Sequence, residues 1–247
     1  MVMRKEIHIA LLLLASLCIS GCETPSTESN AFNSDFDDFF ADEPKDSLDE
    51  FNRAMMELNL FLDAYILEPA AIAYKALTPQ IIQTGVGNFT RNIKTPFYLL
   101  NDLFQWRLDC FGHNLWVFTI NTVGGFGGVM NTAGYMDVYA KTNDFGITLH
   151  RWGLGAGASI TLPILGPTCM RDVVGSAAGL FLDPVGAAAW YYDYRWTNYT
   201  VISVGFVHER SLFLGQLDSL LKETYDPYIT LKSIAEQKRE AEIKEHE

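Results

Sequence analysis

Leu48, Phe51, Met55, Leu58, Leu62 and Tyr65 recur at intervals of three and four residues, with Glu50, Arg53, Glu57 and Asn59 between them. An apolar stripe of that period predicts an amphipathic helix of about 18 residues. It should end before Glu68-Pro69, because the residue ahead of a proline is pushed out of helical geometry. Pro69, Pro79 and Pro96 each suit the first turn of a helix, where a missing N–H costs nothing. Short helices in series are therefore expected over roughly 70–77, 79–93 and 96–105. The pattern changes at 107–122, where Leu108, Phe111, Leu115, Trp116, Val117, Phe118 and Ile120 cover most of the circumference. Such a helix is either central to a core or exposed to lipid. Gly124-Gly125-Phe126-Gly127-Gly128 breaks it, and the chain onward to Asp144 has no clean period. Gly153, Gly155 and Gly157 then alternate ahead of an extended apolar stretch at 160–165, closed by Gly166-Pro167. Helical pattern resumes at 173–182, stops at Asp183-Pro184, and returns in 201–223 and beyond Pro227. With no internal repeat, a single domain over 46–231 is the economical expectation, followed by a charged, solvated helical tail at 232–247.

The start of the chain reads differently. Arg4 and Lys5 precede an uncharged run at 9–19, followed by Ser20-Gly21-Cys22. As a helix that run would span roughly 16 Å, well short of a hydrocarbon core of about 30 Å, so 1–21 is expected to be a signal peptide and not an anchor. Ile19-Ser20-Gly21-Cys22 resembles a bacterial lipobox, which implies cleavage before Cys22 and its acylation; several acyl chains hold a protein to a membrane stably. Glu23 is not the Asp that favours inner-membrane retention, which makes the outer membrane the expected destination. From Glu23 to Lys45 the composition turns to Ser, Thr, Asn, Pro and acid, including Asp35, Asp37, Asp38, Asp42 and Glu43. That composition predicts a disordered linker over 22–45, although Phe32, Phe36, Phe39 and Phe40 would let it dock on the domain or insert at a membrane surface.

The whole chain has 247 residues, a formal charge of −12 and 49% hydrophobic residues. That acidity excludes non-specific nucleic-acid binding. Losing Arg4, Lys5 and Glu6 with the signal peptide makes the chain one unit more acidic still. Between Ala54 and Tyr194 charge is sparse. Catalytic chemistry is not supported: there is no Gly-x-Ser-x-Gly elbow, His208-Glu209 lacks a second zinc-binding His, and His113 reads as a core or groove residue. Gly153-Leu154-Gly155-Ala156-Gly157 is a weak phosphate-loop match, since no helix follows it. No Cys/His spacing suggests a metal site, and no cofactor is expected. Cys110 and Cys169 remain after Cys18 and Cys22 are accounted for; buried thiols are the default, with pairing open in an oxidising periplasm.

Several separate motifs, in order, resemble one family. Asp46-Ser-Leu-Asp-Glu-Phe51-Asn52-Arg53-Ala-Met55 is similar to the opening of the MlaA (VacJ) outer-membrane lipoproteins. The likeness continues at Asn88–Asn92, from Pro96 to Gln105, through the glycine element at Ile120–Gly128, and at Asp144-Phe145 to Leu149. It resumes at Gly153 to Gly157, at Leu162 to Pro167 with Arg171-Asp172, and at Asp226-Pro227-Tyr228. Ser47, Asn131, Ala156 and Ala158 depart from the family pattern without removing a helix or a glycine hinge. The resemblance implies a mostly α protein, a single ring-like bundle of amphipathic and apolar helices lying in the outer membrane, with a polar central channel and a glycine-rich hairpin loop. It implies removal of phospholipid misplaced in the outer leaflet, association with a trimeric porin, and transfer to a soluble periplasmic lipid carrier. The protein would be lipid-anchored at Cys22 and face the periplasm, and would not be an enzyme. A porin-scaffolding lipoprotein without a channel is the alternative. Candidate channel-lining residues are the polar side chains set in apolar helices or beside glycine loops: Asn88, Asn92, Asn101, Asp102, Asn121, Lys141, Asp144, Arg151, Arg171 and Asp172. Capping or a structural hydrogen bond competes with that role at each, and Arg171-Asp172 reads first as a local ion pair or helix start. Gly124, Gly125, Gly127 and Gly128 are the candidate hinges, since consecutive glycines are costly unless unusual backbone angles are needed.

Overall fold

A computed structural model describes residues 48–246. Cys22, the signal peptide, the linker and the first residues of the family opening lie outside them. The described chain is mostly helical, as expected. Helix α1 (Asp49–Leu62) runs through a π-helical segment (Asp63–Leu67) straight into α2 (Glu68–Leu77), so Glu68-Pro69 is not a break. The Glu68 N–H reaches back five residues to the Asp63 carbonyl, and that wider turn takes in the missing donor of Pro69 without ending the helix. The two helices expected at 79–93 and 96–105 are likewise one, α3 (Gln80–Phe104), with Pro96 inside it. The side chains of Thr95 and Asn101 donate to the Arg91 and Phe97 carbonyls on either side of the proline, supporting the turns it weakens.

Helix α4 (Leu108–Thr119) leads through a second π-helical segment (Ile120–Gly124) into the glycine loop and a short 3-10 turn (Ala133–Met136). Helix α5 (Phe145–Arg151) is capped by Asp144, whose side chain accepts from the Ile147 N–H. The extended stretch proves to be half of a hairpin, β1 (Ser159–Leu162) antiparallel to β2 (Gly166–Cys169), with Ser159 opposite Cys169 and Leu162 opposite Gly166. Helices α6 (Met170–Leu182), α7 (Pro184–Tyr191), α8 (Arg195–Leu212), α9 (Gln216–Glu223) and α10 (Pro227–Glu245) complete the domain. The single helical pattern read over 201–223 is split at Gly215, whose φ of +81° no side-chain-bearing residue adopts easily. Residues 232–246 are not a separate solvated tail: α10 is continuous across 231, and His246 beyond it is buried.

Polarity is distributed against the usual rule. On α1 the side chains buried are Asn52 and Met56, while Phe51 and Leu58 of the apolar stripe are exposed, as are Phe61 beside it and the stripe's Tyr65 in the π-helical segment. On α4 the buried stripe is Cys110, Asn114 and Val117, and Asn121 extends it one turn on. Leu108, Leu115 and Trp116 point outward, Trp116 with 60% of its surface free. Among the described residues the buried side chains are mostly polar, led by Asn and Thr, and the large apolar side chains are rarely buried. Among the described residues no single helix is long and apolar enough to cross a membrane; α6 and α7, bent by 40° at Asp183, meet length and composition requirements only as a pair.

Candidate functional site

The interior is built from asparagines that serve two main-chain groups at once. Asn52, fully buried, donates to the Ser159 carbonyl at 3.1 Å and accepts from the Thr161 N–H at 2.7 Å. Asn59, two turns on, does the same for the Leu162 carbonyl and the Ile164 N–H. The free edge of β1 is thereby closed by side chains, where an open edge would leave unpaired donors and acceptors. The family triad is thus split by role. Phe51 faces outward and Asn52 holds the hairpin. Arg53 lies over the Tyr228 ring, 4.7 Å from its centroid, and pairs with Asp226 and Asp49.

A second network surrounds Asp102, which has no exposed surface. Its two oxygens accept from Asn114 at 2.7 Å and Asn143 at 2.6 Å. Gln105 bridges Asn143 to Thr148, and Thr148 donates to Asn101. Burial pushes the Asp102 carboxyl above the usual carboxylate range, against the pull of the Asn143 and Asn114 amides. Asn101 and Asp102 therefore serve a closed structural network. Lys141 takes part through its main chain, which exchanges two hydrogen bonds with Asn114.

Asp144, Arg171 and Asp172 meet a partner that the sequence did not single out. Arg239, on α10, donates to both oxygens of Asp144 and both of Asp172, at 2.6 to 2.9 Å. Burial alone would lower the basicity of Arg239; the Asp144 and Asp172 carboxylates outweigh it and raise the value. Arg171 is buried against Asp172 and also donates to His150, while Arg151 donates to the His246 carbonyl. Glycine makes this junction possible, because a side chain on Gly175 would fall 2.5 Å from the Gly146 nitrogen.

Asn88, Asn92 and Asn121 are the three candidates that come together at an open space. They line a cavity of about 260 Å³ with Arg91, Thr95, Tyr98, Val117, Asn131, Tyr139, Ala140 and Thr142. The same three asparagines hold the glycine loop. Asn88 donates to the Val129 carbonyl, Asn92 to Thr122 Oγ1 and the Gly127 carbonyl, and Asn121 accepts from the Ala133 N–H. Gly127 and Gly128 have φ of +71° and +95°, and a side chain on Gly128 would fall 2.4 Å from the Asn92 amide. A side chain on Gly125 would fall 2.1 Å from the Met130 carbonyl oxygen and 2.3 Å from that of Asn121, whereas one on Gly124 would meet nothing closer than 3.5 Å. Val123 and Phe126 project from this loop with about 80% of their surfaces free. Arg91, Tyr98 and Thr142 were not picked out in the sequence. Arg91 carried the one available signal, a lone charge flanked by Thr90 and Asn92.

Cys110 and Cys169 are free thiols, the first buried and the second half-buried. Burial pushes both above the usual thiol range, which leaves them poor nucleophiles.

Fold and site together define a class: a mostly helical protein that turns large apolar side chains outward and encloses asparagine-rich polar networks and a polar cavity under a glycine loop. The MlaA lipoprotein family model matches residues 44–242, and the chain belongs to that family. A Rickettsia felis protein is 32% identical over 199 residues, covering 80% of this chain and 78% of the relative. The intermembrane phospholipid transport system lipoprotein MlaA of Escherichia coli K12 is 28% identical over 232 residues, covering 92% of this chain and 85% of its own length. The Haemophilus influenzae lipoprotein of that name is 30% identical, with 92% and 87% covered. A chain solved in work on the structural basis for maintenance of bacterial outer membrane lipid asymmetry superposes with a TM-score of 0.69. It is 29% identical, with 81% of this chain and 99% of that chain covered.

Proposed function

We propose that this protein takes part in phospholipid transport between the membranes of its bacterium, removing phospholipid misplaced in the outer leaflet of the outer membrane. Acylated Cys22 anchors it there on the periplasmic side, next to a trimeric porin, and it passes lipid to a soluble periplasmic carrier. The observation that carries this reading is the inverted polarity, with the tryptophans and half of the described phenylalanines exposed and asparagines within. A lipid headgroup cannot cross hydrocarbon cheaply, since each unpaired polar group costs several kcal/mol there. Polar groups enclosed by helices with apolar outer faces give the head a solvated path while its tails stay in apolar surroundings. The cavity lined by Asn88, Asn92 and Asn121 is the part of that path nearest the glycine loop, and the loop's positive-φ glycines let it act as a gate. No bond is made or broken, so no catalytic group is required, and the carrier downstream sets direction.

Deleting the gene should raise the amount of phospholipid exposed at the cell surface, measured by a headgroup-reactive probe that does not cross the outer membrane. A plasmid-borne copy should restore the wild-type level. Unchanged surface phospholipid in the deletion strain would remove the basis for a transport role.

A further inference from the structure

Among the residues lining the polar cavity, Arg91 alone carries a formal charge. Arg53, Arg107, Arg171, Arg210 and Arg239 each meet a carboxylate. Arg91 meets none among the described residues, in a chain whose formal charge is −12. It spends one of its five N–H donors on Asn88 Oδ1, at 2.8 Å, and Asn88 is itself fixed by its bond to the Val129 carbonyl. The rest of the guanidinium fork is left for a ligand.

Two of the amides around it are polarised the same way, while Asn92 is reversed, its NH2 spent on Thr122 and Gly127 and its Oδ1 buried without a partner among the described residues. Asn121 spends its carbonyl oxygen on the Ala133 N–H and Asn131 spends its own on the Gly134 N–H. Both lining side chains therefore retain their NH2 groups, with no acceptor among the described residues. A cavity with one unpaired cation, uncommitted amide donors and no acid in its lining favours an anion with several acceptor oxygens. Its 260 Å³ equals about eight to nine waters at roughly 30 Å³ each, more than a single small ion fills.

We infer that this cavity binds the phosphodiester of a phospholipid headgroup, with Arg91 forking onto the phosphate oxygens and the Asn121 and Asn131 amides donating beside it. Planar guanidinium suits that pair of oxygens better than an ammonium point charge. This rests on phospholipid being the cargo, and it deepens that reading by naming what is read. The phosphate is recognised, while the group beyond it finds no charged partner in the lining, so zwitterionic and anionic phospholipids share the site. Asn88 is a positioning residue: through Val129 it ties the set of Arg91 to the glycine loop.

The test is calorimetric titration of the full acylated protein, in a phosphate-free maltoside detergent, with dihexanoylphosphatidylglycerol, dihexanoylglycerol and glycerol 3-phosphate. Wild type should bind the phospholipid, at least tenfold more tightly than either other probe. Arg91→Gln should lose tenfold or more in affinity and Arg91→Lys should recover part of it, with thermal midpoints unchanged because Arg91 is an exposed side chain. Equal phospholipid affinity in wild type and Arg91→Gln would overturn the inference while leaving the transport reading intact. Binding of glycerol 3-phosphate as tight as the lipid, with the same dependence on Arg91, would make free phosphate the ligand and overturn the lipid assignment. A wild type that binds no phospholipid would overturn both readings together.

Discussion

Asparagine is the residue on which this interior depends. One carboxamide both donates and accepts, so Asn52, Asn59 and Asn114 each satisfy a main-chain N–H and a main-chain carbonyl that no strand or helix serves. Asp102 differs because both its oxygens must accept. Asp102→Asn would turn an NH2 toward the amide of Asn114 or Asn143 and lose a buried hydrogen bond. A destabilisation of about 1–3 kcal/mol is expected, read as a lower midpoint in denaturant. Its burial also fixes a sign: the folded state binds the Asp102 proton more tightly than the unfolded chain does. Its contribution is therefore most favourable below the ordinary carboxylate range and is lost as pH rises through the raised folded value. Replacing Asp102 by Asn should remove that part of the pH dependence, seen by comparing stability–pH profiles of the two proteins. At this scale the sequence was legible by residue type and not by role. Asn88, Asn92, Asn101, Asp102 and Asn121 stand out as polar groups in apolar helices, and all but the half-buried Asn88 are buried. Nothing in their spacing separates the three at the cavity from the two in the closed network. Asn114 carries the same signal on the apolar 107–122 pattern and is not among the candidates.

At the scale of elements, the periodicities located the helices and the prolines misled. Pro69 and Pro96 mark a change of hydrogen-bond register or a locally braced turn, because neighbouring packing holds helices together across a donor that is missing. The apolar stripe on α1 was legible as a stripe, but period alone cannot say whether it faces a core or lipid. The glycine element offers four candidate hinges, and the geometry divides them. Gly128→Ala must displace Asn92 and strain a φ of +95°, whereas Gly124→Ala meets only an ordinary contact. Gly128→Ala should therefore raise surface phospholipid in cells at unchanged protein level, and Gly124→Ala should behave as wild type. The two behaving alike would separate the loop's conformation from transport. Arg239 was hidden in the sequence, one of four basic residues in a mixed-charge tail. Arg239→Met leaves Asp172 with Arg171 alone and Asp144 with its cap. The expected loss is about 3 kcal/mol at the α10 junction, and limited proteolysis should cut within 232–246 many times faster than in wild type.

For the whole molecule, composition alone posed a contradiction, an acidic chain that is nearly half hydrophobic. The contradiction dissolves once the apolar residues are found outside and the polar ones inside. Family motifs made the class legible because they preserve Asn52, Asn92, Asn121 and the glycines that build this arrangement. The inside-out packing itself could not be read, since no single segment records what its neighbours cover. On the proposed anchoring at Cys22, Cys22→Ser should leave the protein unanchored and raise surface phospholipid to the deletion level, whereas full function in that variant would contradict an account that places the domain in lipid. The five tryptophans, Trp106, Trp116, Trp152, Trp190 and Trp196, are all exposed in the isolated chain. Their fluorescence in the acylated protein, reconstituted into vesicles with acyl chains either brominated or plain, tests the inverted packing most directly. Emission should be blue-shifted and strongly quenched by the brominated chains, with little effect of aqueous iodide. Red-shifted emission quenched by iodide and indifferent to bromine would mean that these faces meet water, and the account of a lipid-facing exterior around a polar interior would be wrong.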